Sequence, residues 1–359
     1  MIHQYKSNGY NIVMDVNSGS VHVVDDIVYD MIPLVEPLVT EGIKDADTIK
    51  AAVLNLANIP YPQEEITEAV DEVLELEKAG QLFAPDIYEN YIFDFKKRQT
   101  VVKALCLHIA HDCNLACRYC FAEEGEYHGR RALMSFEVGK KALDFLVANS
   151  GNRHNLEVDF FGGEPLLNFD VVKKTVAYAR GLEKETGKNF RFTITTNATL
   201  LTDDAIEFFN KEMYNVVISI DGRKEVHNSV RKTATGEGSY DLAMQNALKF
   251  KTKRKGQYYV RGTYTALNKD FSKDVLFLND LGFDQISIEP VVLPETHRLA
   301  LKKSDIPELI EEYDKLANEY YERRKTDKWF NFFHFMLDIY HGPCETKRLV
   351  GCGAGNEYV

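Results

Sequence analysis

Three cysteines stand within eight consecutive positions of this 359-residue sequence, at Cys113, Cys117 and Cys120. Thiolate is the soft ligand that iron–sulfur clusters prefer, and three thiolates from one short loop can hold three irons of a [4Fe–4S] cube. The fourth iron would then stay open to an outside ligand. A structural zinc ion would instead have four protein ligands and no open coordination position, and His111 could supply the fourth ligand. The spacing Cys-x3-Cys-x2-Cys therefore indicates metal chemistry and favours a cluster over zinc.

Glycine and polar residues follow several stretches that are typical of strands. The second stretch ends in Gly162, Gly163, Glu164 and Pro165, where the glycines permit a close backbone approach and the carboxylate suits an ammonium group. Further candidates at or after strand ends are Thr195, Thr196, Asn197, Ser219, Asp221, Glu289 and Pro290. Asp221 is equally typical of an ordinary turn.

The elements that must position these residues alternate between strands and helices. Strand-like runs cover 104–110, 156–161, 190–195, 215–220, 258–265 and 285–291. Helical patterns lie near 135–148, 170–185, 202–211, 240–253, 271–281 and 305–324. This alternation predicts a parallel sheet with helices outside, curled into a partial (β/α)6 barrel over residues 101–325. In such barrels chemistry gathers at the C-terminal ends of the strands, where all the candidate residues fall.

The first ninety residues are predicted to form a separate domain with a charge of its own. Residues 1–90 carry 17 acidic and 4 basic side chains, whereas the rest of the chain is almost balanced. Strand patterns at 10–16 and 21–25 flank a turn, and helical patterns follow at about 27–38, 46–56 and 63–79. A small sheet with three helices resembles a winged-helix fold. Because an acidic module repels phosphate backbones, we expect a basic peptide segment as its partner and no nucleic acid.

Composition places the chain among globular proteins. Apolar residues make up 45% and charged residues 27%, which excludes disordered and collagen-like chains. No run approaches the ~18 consecutive apolar residues of a membrane span, and the opening residues lack the apolar segment of a secretory signal. Six cysteines are too few for a disulfide scaffold of this size. We therefore expect a cytoplasmic protein with no membrane partner.

The cysteine loop, with Tyr119 directly before its last cysteine, resembles the radical S-adenosylmethionine (SAM) superfamily. In that family the open iron chelates the amino and carboxylate groups of SAM. An electron from a low-potential donor then cleaves SAM to a 5′-deoxyadenosyl radical, which takes a hydrogen atom from an unactivated carbon. The resemblance implies that Cys113, Cys117 and Cys120 hold the cluster. It further implies SAM contacts from Tyr119, Gly162, Gly163, Glu164, Pro165, Asn197, Ser219 and Arg231, with Gly162–Pro165 at the amino group and Arg231 at the carboxylate.

Two further cysteines, Cys344 and Cys352, resemble the start of a SPASM extension, a C-terminal domain that carries auxiliary [4Fe–4S] clusters. Two thiolates cannot hold a cube alone, and complete extensions have more cysteines. Residues 326–359 are therefore predicted to be a linker and the truncated beginning of such a domain. The alternative is that both are ordinary core cysteines.

A winged-helix-like domain before such a barrel resembles the leader-binding element (RRE) of enzymes that modify ribosomally made peptides. Such elements add the leader peptide as an extra strand on an exposed sheet edge. The three-part layout and the loop CNLACRYCFA resemble the maturases of SCIFF peptides, small cysteine-rich products of clostridia-like anaerobes. The resemblance implies a precursor peptide whose leader binds residues 1–90. It also implies a sactionine-type thioether, which joins a peptide cysteine to the α-carbon of an acceptor residue.

Two other functions stay open. The first is a different radical SAM–SPASM modifier, either a formylglycine-forming sulfatase maturase or a carbon–carbon crosslinker. The second is a non-catalytic, metal-stabilised peptide-binding scaffold, which would need neither the Gly-Gly-Glu-Pro segment nor Ser219. Cys106 and His108 share one face of the first barrel strand, and we expect both to be core residues.

Overall fold

The computed structural model describes residues 1–56, 60–87, 101–123, 126–127, 129–336 and 353–359. The chain divides into two compact units, whose described parts are residues 1–56 and 60–87 in the first and the remaining described residues in the second. Cys344 and Cys352 lie outside the described residues, so the predicted auxiliary-cluster ligands stay a prediction. None of the helices in the described ranges is long and apolar enough to cross a membrane.

The first unit packs three helices against a three-stranded antiparallel sheet. The strands follow chain order in the sheet, with β2 in the middle. Asn8 and Gly9 join β1 to β2 with φ values of 50° and 80°, the backbone that a two-residue type I′ hairpin requires. The elements are β1 (Ile2–Ser7), β2 (Tyr10–Asp15), β3 (Val21–Val24), α1 (Asp26–Thr40), α2 (Ala46–Leu54) and α3 (Gln63–Lys78).

Capping side chains and a small apolar core stabilise this unit. Asp25 and Asp45 accept hydrogen bonds from the first backbone N–H groups of α1 and α2. The core contains Val13, Ile32 and Val70, each fully buried. The predicted strands at 10–16 and 21–25 and the three predicted helices are present, whereas β1 is an addition. The assignment of this unit to the winged-helix class stays a prediction.

The second unit is built on an eight-stranded sheet in the order β13-β12-β11-β9-β8-β7-β4-β6. The six strands from β12 to β4 are parallel, β13 is parallel to β12, and β6 runs antiparallel to β4. The strands are β4 (Ala104–His111), β5 (Leu115–Cys117), β6 (Ala132–Leu133), β7 (Asn155–Gly162), β8 (Asn189–Thr196), β9 (Met213–Ser219), β10 (Arg231–Thr233), β11 (Gln257–Tyr264), β12 (Gln285–Pro290) and β13 (Asn331–Phe332).

Helices connect the parallel strands, as the alternating pattern predicts. They are α4 (Phe136–Asn149), α5 (Phe169–Thr186), α6 (Asp203–Glu212), α7 (Lys224–Val230), α8 (Tyr240–Lys253), α9 (Phe271–Asp280) and α10 (Ile306–Arg324). Ser135 and Thr202 cap α4 and α6 through their hydroxyls. The mixed α/β fold with a parallel sheet is therefore confirmed, and each of the six predicted strands and six predicted helices is present within a few residues.

The parallel strands divide their side chains between two faces. Leu107, Phe160, Ile194, Ile218 and Ile288 are almost fully buried and belong to one apolar core with residues of the helices. Because successive strand residues point to opposite faces, the residues between them face the other side of the sheet. That second face is the more polar one and carries the candidate site.

The last described residues run beside the start of β4. Cys106 donates its backbone N–H to the carbonyl of Val359 at 2.7 Å, and the Tyr358 hydroxyl donates to Asp159 at 2.7 Å. The Lys103 ammonium contacts the Glu357 carboxylate at 2.8 Å. This segment therefore covers the first half of a sheet edge that would otherwise be open.

Candidate functional site

A short two-stranded ribbon holds the cysteine loop in place. The loop leaves β4 at His111, and its β5 residues pair antiparallel with β10, so that Cys117 lies opposite Arg231. Arg118 also donates its backbone N–H to the Val230 carbonyl at 2.9 Å. Backbone pairing therefore fixes the central cysteine of the loop relative to the segment that follows α7.

The three thiols line one cavity of about 450 Å³ at the C-terminal ends of the parallel strands. Nitrogen donors face two of the sulfurs. The backbone N–H of Leu115 lies 3.4 Å from Cys113 Sγ, Asn197 Nδ2 lies 3.9 Å from the same sulfur, and Arg231 Nη1 lies 3.9 Å from Cys117 Sγ. N–H donors at sulfur suit iron–sulfur ligands, since such bonds help to set the reduction potential of a cluster.

The ionisation of these thiols is coupled to metal binding. Burial raises the pKa of the Cys113 thiol to about 12 and that of the Cys117 thiol to about 11. Because metals bind the thiolate, loading this site must release protons. In the described part of the chain, no three His, Cys, Asp or Glu side chains are grouped so as to hold a single ion. A cube does not need such a group, because it places each thiolate on a different iron.

His111, the possible fourth zinc ligand, is not among the residues that line the cavity. Its ring lies 5.0 Å from the ring of Tyr127, and His108 stacks on the same tyrosine at 4.3 Å. Cys106 also lies outside the cavity lining, and burial raises the pKa of its thiol. This geometry fits a three-thiol cluster site better than a zinc site completed by His111.

Gly163 directly follows β7 and lies against the start of the cysteine loop. A Cβ at this position would lie 2.0 Å from the carbonyl oxygen of Asp112 and 3.2 Å from the Cβ of Cys113. The backbone N–H groups of Gly163 and Glu164 donate to the carbonyls of Ala110 and Asp112 at 2.8 and 2.9 Å. Only glycine therefore fits this approach without moving the loop.

Glu164 lies behind residues that line the cavity and is not itself among the lining residues. It is fully buried and accepts hydrogen bonds from the backbone N–H of Leu166, the Thr196 hydroxyl and the backbone N–H of Asn197, at 2.8 to 3.0 Å. Burial raises its pKa to about 7. The carboxylate therefore orders Asn197, whose side chain lines the cavity, and a direct contact between Glu164 and an ammonium group stays a prediction.

Asp221 joins three segments of the site. Its fully buried carboxylate accepts from the Tyr119 hydroxyl at 2.8 Å, from Arg231 Nε at 3.1 Å and from the backbone N–H of Thr263 at 3.0 Å. The Arg231 guanidinium lies 5.4 Å from the centre of the Tyr119 ring. Asp221 therefore connects the cysteine loop, β10 and β11, which a simple turn residue would not do.

The cavity brings together most of the predicted residues and several others. Of the predicted set, the lining includes the three cysteines, Tyr119, Gly162, Gly163, Thr195, Thr196, Asn197, Ser219, Arg231, Glu289 and Pro290. Glu164 and Pro165 are not among the lining residues. The lining residues that the sequence analysis did not single out are Leu115, Phe121, Phe161, Arg261, Thr263, Val291 and Val292.

The added residues give the cavity two different walls. Phe121 and Phe161 stack with ring centres 6.3 Å apart and form an apolar wall. Val291 and Val292 also line the cavity and directly follow Pro290 in the chain. On another side, Glu289 accepts from the Ser287 hydroxyl at 2.5 Å and lies 3.1 Å from His334 Nε2. Hydrogen bonding from His334 lowers the pKa of Glu289 to about 2, so this carboxylate is ionised at neutral pH.

Residues 107–269 match the Radical SAM superfamily. They form a radical SAM domain. Such a domain implies a [4Fe–4S] cluster and SAM as its cofactors. Among curated proteins, the chain is 28% identical over 235 residues to the cysteine-type anaerobic sulfatase-maturating enzyme of Clostridium novyi. That alignment covers 62% of this chain and 58% of the relative, so the chain spans little more than half of that protein's length.

Two solved structures share the fold. The structure of anSMEcpe with bound AdoMet aligns with a TM-score of 0.57 and 20% identity, covering 65% of each chain. Streptococcus suis SuiB bound to its precursor peptide SuiA aligns with a TM-score of 0.53 and 16% identity, covering 99% of this chain and 79% of SuiB. At these identities the likeness establishes the radical SAM fold and nothing finer.

Proposed function

We propose that this chain is a radical SAM enzyme that joins a peptide cysteine to the α-carbon of another residue in the same peptide, forming a sactionine-type thioether. One observation carries the radical SAM part of the proposal: three thiols, two of them facing N–H donors, share a cavity with Asn197, Ser219 and Arg231. A cluster and SAM bound there would supply the radical that removes a hydrogen atom from carbon.

The chain's own residues have distinct tasks in this proposal. Cys113, Cys117 and Cys120 hold the cluster, and Gly163 lets the end of β7 lie directly against the loop that carries them. Asn197 and Ser219 offer neutral polar groups, while the Arg231 guanidinium suits a carboxylate. Its charge is kept in place by Asp221, to which its Nε donates at 3.1 Å.

The apolar wall excludes water from the reacting atoms. Phe121, Phe161 and Val292 are at the cavity, and Phe121 and Val292 are 67% and 89% exposed. A bound peptide would cover these side chains, which buries apolar area and removes water from the site at the same time. The charged Arg261 and Glu289 remain to contact polar groups of the substrate.

The first unit supports the choice of a peptide with a leader. Val21 and Val23 of β3 are 41% and 65% exposed, and Tyr5 and Tyr10 expose apolar rings elsewhere in the same sheet. An extended peptide could pair with the backbone of β3 and cover these side chains. The excess of acidic side chains in residues 1–90 favours a basic leader. Such binding would tether the substrate to the chain that carries the cavity and so raise its effective concentration.

A formylglycine-forming reaction is the second candidate, favoured by the similarity to the Clostridium novyi maturase. The two reactions differ in what happens to the peptide sulfur. A thioether keeps the sulfur and removes two hydrogens from the peptide. Formylglycine formation from cysteine removes the sulfur and adds oxygen. Peptide mass alone therefore distinguishes them.

The test is an anaerobic reaction of the iron-reconstituted protein with SAM, a strong reductant and a synthetic cysteine-rich precursor peptide of the SCIFF type. We expect deoxyadenosine together with a peptide lighter by two hydrogens, and fragmentation should locate the thioether. A peptide that loses sulfur would favour the formylglycine reaction. No deoxyadenosine from protein with a verified, reducible cluster would contradict the enzyme proposal and favour a peptide-binding scaffold.

A further inference from the structure

Arg231 lies between a carboxylate and a cysteine sulfur. Its Nε donates to Asp221 Oδ2 at 3.1 Å, and its Nη1 lies 3.9 Å from Cys117 Sγ. The Arg231 side chain is 11% exposed and that of Asp221 is fully buried. The pairing of β10 with β5 places Arg231 directly opposite Cys117, so the backbone reinforces the side-chain contact.

Because Asp221 is buried and Arg231 is nearly buried, water screens the effect of their charges on the sulfur only weakly. Charges in a buried environment interact more strongly than at the surface. The reduction potential of an iron–sulfur cluster depends on net charge, on hydrogen bonds to its sulfurs and on exposure to solvent. A positive donor at a ligand sulfur stabilises the more negative, reduced form, and a nearby carboxylate opposes that effect.

We propose that Asp221 and Arg231 act as a charge-balanced pair that sets the reduction potential of the cluster held by the three cysteines. Both are positioning residues in this role, and the proposal rests on the cluster site proposed above. Reduction adds one electron to the cluster from a low-potential one-electron donor, and no bond forms or breaks in that step. The pair keeps the potential within reach of the donor while the cluster stays reducing enough to act on SAM.

Tyr119 gives the pair a fixed orientation. Its hydroxyl lies 2.8 Å from each oxygen of Asp221, and the Arg231 guanidinium lies over its ring. The cysteine loop therefore supplies a neutral donor to the same carboxylate that neutralises Arg231. Tyr119→Phe removes this donor without changing a charge, so it separates orientation from charge in the experiment.

The test is redox potentiometry of the reconstituted full chain without SAM, with the reduced cluster followed by electron paramagnetic resonance. Arg231→Gln should shift the potential to more negative values, and Asp221→Asn should shift it to more positive values. The double variant should return close to the wild-type potential, and Tyr119→Phe should change it least. Arg231→Lys keeps the charge and should lie between wild type and Arg231→Gln.

Arg180→Gln is the matched control. Arg180 is a partly buried arginine that pairs with Glu212 and Glu183 and donates to the Phe190 carbonyl, at the start of β8 and thus at the opposite end of the strand from the cysteines. Its removal should leave the potential unchanged. General structural damage would not produce shifts of opposite sign that cancel in the double variant.

Three results overturn the proposal in distinguishable ways. Shifts in one direction for Asp221→Asn and Arg231→Gln, or no shift in variants with complete clusters, contradict the charge pair and leave the cluster site standing. If Asp221→Asn does not assemble a cluster, the test depends on the Arg231 variants alone. Equal potentials for wild type, Arg231→Lys and Arg231→Gln would then contradict the charge pair. Wild-type protein that assembles no four-iron cluster contradicts the proposed function itself, and this inference with it.

Discussion

The two units both pack helices against a sheet, but they leave different parts of the sheet open. In the first unit the outer edge of β3 has no partner strand among the described residues, and two of its three valines, Val21 and Val23, are exposed. In the second unit the outermost strands have two residues each, and residues 353–359 run beside the start of β4. What stays open there is a cavity with thiols and polar side chains.

This difference separates two kinds of recognition. An open strand edge offers backbone groups to an extended chain and needs few particular side chains. A cavity offers side chains of fixed position to a small molecule or to one reacting residue. We therefore expect that peptide binding and SAM cleavage can be damaged independently, and each prediction below tests one side of that separation.

The largest effect is expected from Cys113→Ala. Removing one of three thiolates should abolish the [4Fe–4S] cluster and deoxyadenosine formation, since the two remaining cysteines cannot hold the cube. Binding of a labelled leader peptide should not change, because Cys113 lies in the second unit. Iron analysis, electron paramagnetic resonance and chromatography of deoxyadenosine measure the first effect, and fluorescence anisotropy measures the second.

Cys106→Ala is the control for this prediction. Cys106 is also a partly buried free thiol, on β4, but it does not line the cavity. The Cys106→Ala variant should retain the cluster and cleave SAM at the wild-type rate. Deoxyadenosine at the wild-type rate from Cys113→Ala, or a lost cluster in Cys106→Ala with the fold intact, would show that the ligand assignment is wrong.

Gly163→Ala should give the next largest effect. The added methyl group would lie 2.0 Å from the Asp112 carbonyl oxygen, so the start of the cysteine loop must move. We expect several-fold less iron retained per chain and a matching loss of deoxyadenosine, with peptide binding unchanged. Iron content after desalting of the reconstituted protein measures this directly.

Gly181→Ala provides the opposite result from the same chemical change. Gly181 lies in α5 with no atom within 4 Å of the added Cβ. Alanine is favoured over glycine inside a helix by about 1 kcal/mol, so thermal or urea unfolding should show a more stable protein with a normal cluster. Equal iron loss in both variants would contradict the close approach at Gly163.

The sequence predicts the parts of the molecule that repeat a strong local pattern. Strand and helix periodicity recovers the parallel sheet, and the position of polar residues at strand ends brings Asn197, Ser219 and Glu289 to one cavity. These predictions succeed because the C-terminal ends of parallel strands meet at one edge whatever the helices contain. The cysteine spacing carries its own chemistry and does not depend on the fold.

The rest depends on contacts between distant residues that no local pattern encodes. The β5–β10 ribbon has three residues in each strand, too short for a periodic signal. His334 reaches Glu289 across 45 positions, and Glu164 accepts from the Thr196 hydroxyl and the backbone N–H of Asn197 across more than 30 positions. By contrast, β1 has a local signal, because Asn8-Gly9 is a dipeptide typical of two-residue hairpins.

Val23→Glu tests the first unit alone. Val23 is 65% exposed on β3, and a charge there would have to be buried when a peptide covers the strand. We expect leader affinity to fall about tenfold, equivalent to about 1.4 kcal/mol, with the rate of SAM cleavage in the absence of peptide unchanged. Fluorescence anisotropy with the labelled leader and deoxyadenosine assays give the two readouts.

Val138→Glu is the matched control, since Val138 is 51% exposed on α4 of the second unit. It adds the same charge to the chain and should leave leader affinity unchanged. If wild-type protein binds the leader and Val23→Glu binds it with the same affinity, the proposed pairing of the leader with β3 is contradicted. That result would leave the cluster site untouched.

The smallest effect on binding and catalysis is expected at His227, where a pH dependence of stability arises. Burial lowers its pKa to about 4 from the ordinary 6.5. Its Nδ1 faces the backbone N–H of Asp221 and its Nε2 lies 3.0 Å from the Ser239 hydroxyl, so the neutral ring fits both contacts. The unfolded chain therefore binds a proton at a higher pH than the folded protein does.

The sign of the effect follows from that difference in pKa. The stabilisation is complete above about pH 6.5 and is lost as the pH falls through that value towards about 4, with a slope of at most about 1.4 kcal/mol per pH unit. His227→Gln should flatten the curve of unfolding free energy in this window, whereas the exposed His154→Gln should not. Equal slopes in wild type and His227→Gln, measured by urea unfolding between pH 4 and 7, would contradict a neutral buried ring behind Asp221.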